Sequence, residues 1–231
     1  MGVAPVGQDA ILSYVTEMSN LEYQLFYQRH LPHIQPPGAT LFITCRLADS
    51  IPRAVMEQLL KEARRAEETL ARIPDQRERA QQADEFQRRL FGKWDSALGT
   101  AESGPFWLRD PRIAAVVAEG LHHRDGRVYA LDAFCIMPNH VHLVCTPLAR
   151  EGGTDHAMSA ILHSLKRYTA RQANQLLGRE GAFWQHESYD HVVRDEAEWR
   201  RIVTYVLNNP VACGLIERWE EWEWSYCRTD L

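Results

Sequence analysis

The chain has 231 residues, 45% of them hydrophobic and 25% charged, with a net charge of −5 and a pI near 6.1. That is ordinary globular composition and enough apolar material for a core. No apolar run reaches the ~20 residues a membrane helix needs, and the N-terminus lacks a basic stretch followed by an apolar block, so a cytoplasmic protein without membrane contact is expected. The acidic balance argues against a non-specific nucleic-acid binder but not against a local basic surface.

The five cysteines, Cys45, Cys135, Cys145, Cys213 and Cys227, form no C-x-x-C pair. They read as free thiols in a reducing compartment rather than a disulfide framework. Arginine far outnumbers lysine, which occurs only at Lys61, Lys93 and Lys166. Guanidinium forks suit phosphate contacts, although genomic base composition gives the same bias.

Residues 1–30 mix apolar and polar positions without a clean period and are read as an extension. A proline-rich turn follows, with His30 and His33 in it. Ala39–Arg46 alternates as a strand, with Leu41, Ile43 and Cys45 on one face and Thr40, Phe42 and Thr44 on the other. Ser50 or Asp49 is the expected cap of a helix that has Pro52 in its first turn and Val55, Leu59, Leu60, Ala63 and Ala66 as its apolar stripe. Asp75–Phe91 is a second charged helical stretch, and Asp110-Pro111 opens a third helix with Ile113, Val116, Val117 and Leu121 inward. Residues 72–123 are together expected to be a helical insertion within one domain.

Asp125-Gly126 is a turn signal, and Arg127–Ile136 and His140–Thr146 are two strands joined across Met137-Pro138-Asn139. After Gly152-Gly153, Thr154 or Asp155 is expected to cap a long helix that Gly178 stops. Glu187–Arg194 is a short strand and Ala197–Leu207 a helix ended by Asn208-Asn209-Pro210. The tail carries Trp219, Trp222 and Trp224 among glutamates, too acidic for a phosphate groove. Without the insertion the order is strand, helix, strand, strand, helix, strand. It predicts an α+β fold of ferredoxin-like type, with a four-stranded antiparallel sheet and helices on one face.

The chemistry concentrates in two stretches, Met137–Leu143 and Ser164–Gln172. His140 and His142, two apart on a strand, point to one face while Val141, Leu143 and Cys145 point to the other. Two adjacent imidazoles suit metal capture, or are a surface accident. On the long helix, Tyr168 and Gln172 fall on a stripe with Met158, Ile161, Leu162, Leu165 and Leu176. Tyr168 is then either a core tyrosine or a nucleophile. An inward Gln172 must find partners, since an unpaired buried amide costs about 1–3 kcal/mol, and a metal ion would supply one. Lys166, Arg167 and Arg171 flank the stripe, as DNA-phosphate contacts or as the wet face of an amphipathic helix. If the stretches converge, a divalent ion polarises a phosphate that Tyr168 attacks, leaving a covalent phosphotyrosine that can be passed to another strand.

The motif MPNHVHL at Met137–Leu143, with Tyr168 and Gln172 downstream, resembles the HUH single-tyrosine transposases, and within them the REP-associated tyrosine transposases. The resemblance runs through Leu31–Pro37, Thr44–Pro52, Gly104–Pro111, the histidine strand, Ser164–Ala170, Phe183–Asp190 and Tyr205–Gly214. It implies one domain over 31–225 followed by a tail at 226–231. It also implies single-stranded DNA cleavage and joining at hairpins through 5′-phosphotyrosine, with Mg²⁺ or Mn²⁺. On that pattern His140 and His142 are metal ligands, Tyr168 the nucleophile, and Gln172 a third ligand. A monomer is favoured over a dimer. A silent hairpin-binding derivative, or a hydrolase that uses the two histidines to activate water, are the competing readings.

Overall fold

The computed structural model describes residues 38–100, 104–150, 153 and 155–228. The extension at 1–30, His33, Gly152 and Thr154 lie outside them. The chain divides into two compact units. The described part of one is 51–100, and that of the other is 38–50 together with 104–228.

The described part of the first unit is a pair of helices, α1 (Arg53–Leu70) and α2 (Gln76–Gly99). α1 follows Pro52 directly and has no side-chain cap, so neither Ser50 nor Asp49 serves as one. Asp75 caps α2, accepting from the Glu78 N–H at 2.7 Å. Leu59, Ala63 and Leu90 form one small apolar cluster and Leu70 and Ala83 another, and the remaining faces are charged.

The second unit is the sheet domain. Its strands are β1 (Leu41–Arg46), β2 (Tyr129–Ile136), β3 (His140–Pro147), β4 (Tyr189–Val192) and β5 (Ser225–Cys227). They form an antiparallel sheet in the order β4-β1-β3-β2-β5. The first four are in the ferredoxin-like order. The tail contributes the fifth, in which Tyr226 stacks on Phe134 at 5.7 Å.

Two helices cover one sheet face: α3 (Pro111–His122), capped by Asp110, and α4 (Met158–Leu177), ended by Gly178 at φ 61°. Their apolar stripes meet Leu41, Ile43 and Cys45 of β1 and Val141, Leu143 and Cys145 of β3 in one core. Gly120 lets α3 and α4 approach closely: a Cβ there would stand 3.1 Å from Leu165 Cδ1 and 3.3 Å from Thr169 Cγ2. The insertion expected at about 72–123 therefore divides, its last helix being a structural member of the sheet domain. A further helix, α5 (Glu196–Ala212), follows β4. It makes its sheet contacts on the opposite face, the face of Phe42, Thr44 and His142.

Candidate active site

The pleat decides the site. In β3, Val141 and Leu143 enter the α3–α4 core, so His140 and His142 must face the other way, toward α5. Register sets their neighbours: Arg46 stands opposite His140 on β1, and Thr44 and Cys135 flank His142. Both histidines are buried, at 1% and 0% exposure. Backbone bonds fix the entry to β3, the Leu47 N–H donating to Asn139 O at 2.8 Å and the Leu108 N–H to Pro138 O at 3.2 Å.

The two rings converge, with the Nε2 atoms 3.1 Å apart. Outer partners fix the far nitrogens. Asn139 Oδ1 lies 2.7 Å from His140 Nδ1, and an amide oxygen can only accept, so this contact favours the proton on Nδ1 and turns the Nε2 lone pair toward His142. Thr44 Oγ1 is 2.8 Å from His142 Nδ1 and can hold that ring in the same tautomer. Asn209 brings its amide to 3.2 Å from His142 Nε2. Two lone pairs facing each other in a buried spot repel unless a cation or a proton lies between them.

A divalent ion fits that demand. Nitrogen ligands at 2.0–2.1 Å in neighbouring positions stand about 3 Å apart, which the histidine pair already satisfies. Rotating the Asn209 amide by half a turn would offer Oδ1 to the same point, since its N and O are nearly isosteric.

α5 supplies the remaining group. Tyr205 lies one turn before Asn209, with its hydroxyl buried and its ring centroid 5.5 Å from that of His142 and 6.1 Å from that of Phe42. Pro210 sits inside the last turns and gives Val206 O no helical donor.

The tyrosine and glutamine expected in this site are elsewhere. Tyr168 and Gln172 are on α4, which packs against the Val141–Leu143 face, so the sheet separates them from the histidines. The inward stripe of α4 is Ile161, Leu162, Leu165, Thr169 and Ala173. Tyr168 is rotated off it and 38% exposed. The structure thus does not bring Tyr168 and Gln172 to the histidine pair; Tyr205 and Asn209 of α5 stand beside it instead. Of the expected DNA contacts, Arg167 and Arg171 are exposed on α4. The Lys166 ammonium instead donates to the carbonyls of Gln185 and His186 at 2.9 and 3.0 Å, where it ties down the loop before β4.

The cation nearest the histidines in sequence register is Arg46, buried at 7% exposure. Burial lowers its pKa to about 10, against the opposing pull of Asp49 and Glu187. A second cluster lies at the start of α5, where Glu198 takes His191 Nε2 at 3.1 Å and the Arg194 backbone N–H at 2.8 Å. Burial pushes the Glu198 carboxyl up, but the His191 bond, the Arg194 N–H and both positive charges outweigh it and bring it down to about 2.

Among the described residues, no helix is long and apolar enough to cross a membrane.

No family model matches the chain. A protein of Haemophilus influenzae assigned to the REP-associated tyrosine transposases is 28% identical over 108 residues, covering 43% of this chain. The REP-associated tyrosine transposase of Escherichia coli K12 is 26% identical over 105 residues, or 46% of this chain. The matched stretches span 59% and 58% of those relatives, under two thirds of their length. A solved structure of a REP-associated tyrosine transposase bound to a REP hairpin aligns over 86% of this chain and 82% of its own. Its TM-score is 0.47 and its identity 16%. The chain thus resembles the family that its histidine motif pointed to.

Proposed function

We propose that this chain cleaves and rejoins single-stranded DNA at hairpin sequences, with Tyr205 as nucleophile and with His140, His142 and Asn209 as ligands of a divalent ion. The observation that carries the reading is the convergence of two imidazole Nε2 atoms and one amide on a single buried point, with a tyrosine one turn along the same helix. The resemblance to REP-associated tyrosine transposases supports the substrate class.

A divalent ion held there would polarise a phosphate oxygen and offset charge that builds during displacement. The protein's own part is positional. Asn139 and Thr44 hold the imidazoles so that both Nε2 atoms face one point. Tyr205 Oη attacks phosphorus, the phenolic proton leaves, and a P–Oη bond forms as the bond from phosphorus to the 3′ oxygen breaks. That oxygen takes up a proton and departs as a 3′-hydroxyl. The 5′-phosphotyrosine keeps the energy of the diester, so the step runs backward onto a second 3′-hydroxyl. That suits strand transfer better than hydrolysis. Two imidazoles and an amide favour Mn²⁺ over Mg²⁺, which prefers oxygen ligands. Arg167 and Arg171 on α4, exposed and basic, are the proposed contacts for the hairpin backbone.

The test is covalent trapping. The protein is incubated with a labelled single-stranded hairpin oligonucleotide and MnCl₂, then run on a denaturing gel. A slow band is expected with wild type and with Tyr168→Phe, and none with Tyr205→Phe or with EDTA. Cleavage that survives Tyr205→Phe would support water activated by the histidines. Binding to several hairpins without adduct would support a silent DNA-binding protein. Loss of the band only in Tyr168→Phe would overturn the assignment to α5.

A further inference from the structure

Tyr205 and Asn209 belong to a longer stripe. Glu198, Ile202, Tyr205 and Asn209 follow i, i+4, i+7, i+11 spacing, so they lie on one side of α5. The far end of that stripe is fastened to β4. Glu198 Oε1 is 3.1 Å from His191 Nε2, and its Oε2 accepts the Arg194 N–H at 2.8 Å. The Glu198 N–H itself donates to the capping Asp195 at 2.7 Å. His191 in turn stands opposite Phe42 on β1, and the Phe42 ring contacts both Tyr205 and His142. One residue on, the Trp199 Nε1–H donates to Asp132 Oδ2 of β2 at 2.9 Å. The first turn of α5 is therefore tied to strands on both sides of β1 and β3, the pair that carries the histidine site.

We propose that Glu198 and His191 are positioning residues, a clamp that fixes the rotation of α5 and so aims Tyr205 and Asn209 at His142. The geometry favours this over a purely stabilising role. A carboxylate spent only on stability has no need to lie on the site stripe, two turns from Tyr205 and three from Asn209. Rotation matters more than translation here. Each residue of a helix turns the direction of its side chain by about 100°, so even a tenth of that step swings the Asn209 amide off the point where the Nε2 atoms meet. Losing the Glu198 bonds removes the tie of this stripe to β4 and leaves the start of the helix joined to the sheet through Trp199 and Asp132 of β2.

The inference rests on the proposed roles of Tyr205 and Asn209, and its test reads the two separately. Glu198→Ala, His191→Ala and the double variant are titrated with MnCl₂ and assayed for the rate of adduct formation with the hairpin oligonucleotide under single-turnover conditions. Hairpin affinity is measured alongside. Either single variant is expected to lower Mn²⁺ affinity about tenfold and the adduct rate at saturating Mn²⁺ by ten- to a hundredfold. Hairpin affinity should stay within twofold. The double variant should be no worse than Glu198→Ala, because that variant already removes the bond to His191. In metal-free protein, the ¹⁵N resonance of His142 Nε2, which reports the approach of Asn209, should shift in Glu198→Ala and stay in Thr40→Val, which loses only a hydroxyl pair with Thr146 away from α5. Glu198→Gln, which keeps an acceptor for the Arg194 N–H and a partner for His191, should restore most of each readout and serves if Glu198→Ala does not fold. Wild-type Mn²⁺ affinity and an unmoved His142 resonance in Glu198→Ala would overturn the clamp. If wild type itself forms no adduct, the nucleophile assignment fails while the Mn²⁺ and ¹⁵N readouts still decide the clamp.

Discussion

Replacing Thr44 by valine keeps the shape of the side chain and removes the hydroxyl that stands 2.8 Å from His142 Nδ1. His142 is fully buried, so water does not replace the lost bond. A buried polar atom left unsatisfied costs about 1–3 kcal/mol, and the fold should lose that much stability. The ring also loses the contact that holds its orientation and tautomer. Outer-sphere partners of metal-bound histidines are worth about 10–100-fold in affinity, or about 1.4–2.7 kcal/mol. Calorimetric titration with MnCl₂ should therefore show Thr44→Val binding at least tenfold more weakly. Thr40→Val is the control. It sits just before the same strand and removes a hydroxyl pair with Thr146 at 2.8 Å, away from the histidines. It should cost stability without touching affinity. Equal Mn²⁺ affinity in Thr44→Val and wild type would refute the claim that this face of the sheet is built around an ion.

The Glu198 carboxyl titrates near 2 when folded, below its ordinary value of 4.5, so the unfolded chain binds the extra proton between those values. Its contribution to stability is complete above about pH 4.5 and is lost as pH falls toward 2. Urea midpoints measured from pH 6 to pH 3 should fall more steeply in wild type than in Glu198→Gln, and parallel slopes would contradict the ion pair. Gly120→Ala should destabilise by about 1–3 kcal/mol, because its Cβ would meet Leu165 and Thr169 at 3.1 and 3.3 Å, yet leave Mn²⁺ binding intact on the far face. Cys45, Cys135 and Cys145 are buried, and burial pushes the Cys135 thiol up to about 12. A disulfide reagent at pH 8 should reach only Cys213 and Cys227 before urea unfolds the domain, and early reaction of all the thiols would show the core to be looser than described.

Much of the fold was legible because its signals are local. Alternation in Ala39–Arg46 and His140–Thr146 placed the inward and outward residues of two central strands correctly, and Asp110-Pro111 announced α3 by the chemistry of its cap. The fifth strand was not legible. Ser225–Cys227 is short and follows a tryptophan- and glutamate-rich stretch, and it pairs only because β2 presents a free edge to it. Nor was the role of 111–122 within the sheet domain, since a helical stripe does not say which surface it will cover.

The site was half legible, for a reason that lies in the sheet. Period two put His140 and His142 on one face, and the resemblance to the family suggested their role, but the choice of tyrosine needed a statement about faces. Two helices carry a tyrosine followed four residues later by an amide: Tyr168–Gln172 on α4 and Tyr205–Asn209 on α5. A right-handed crossover between strands of one sheet puts α3 and α4 on the same side, and that side must be the apolar one, where Val141 and Leu143 point. The histidines then face away from α4, whatever its stripe contains. Asn208-Asn209-Pro210 reads locally as a helix stop, which hid Asn209. In the fold α5 runs through it to Ala212, because a proline near the end of a helix costs little once the preceding turns are packed. Strand alternation and crossover handedness, taken together, are thus enough to put Tyr168 on the side of the sheet away from the histidines. What they cannot supply is the rotation of α5, which long-range ties such as Glu198 to His191 and Trp199 to Asp132 hold in the folded chain.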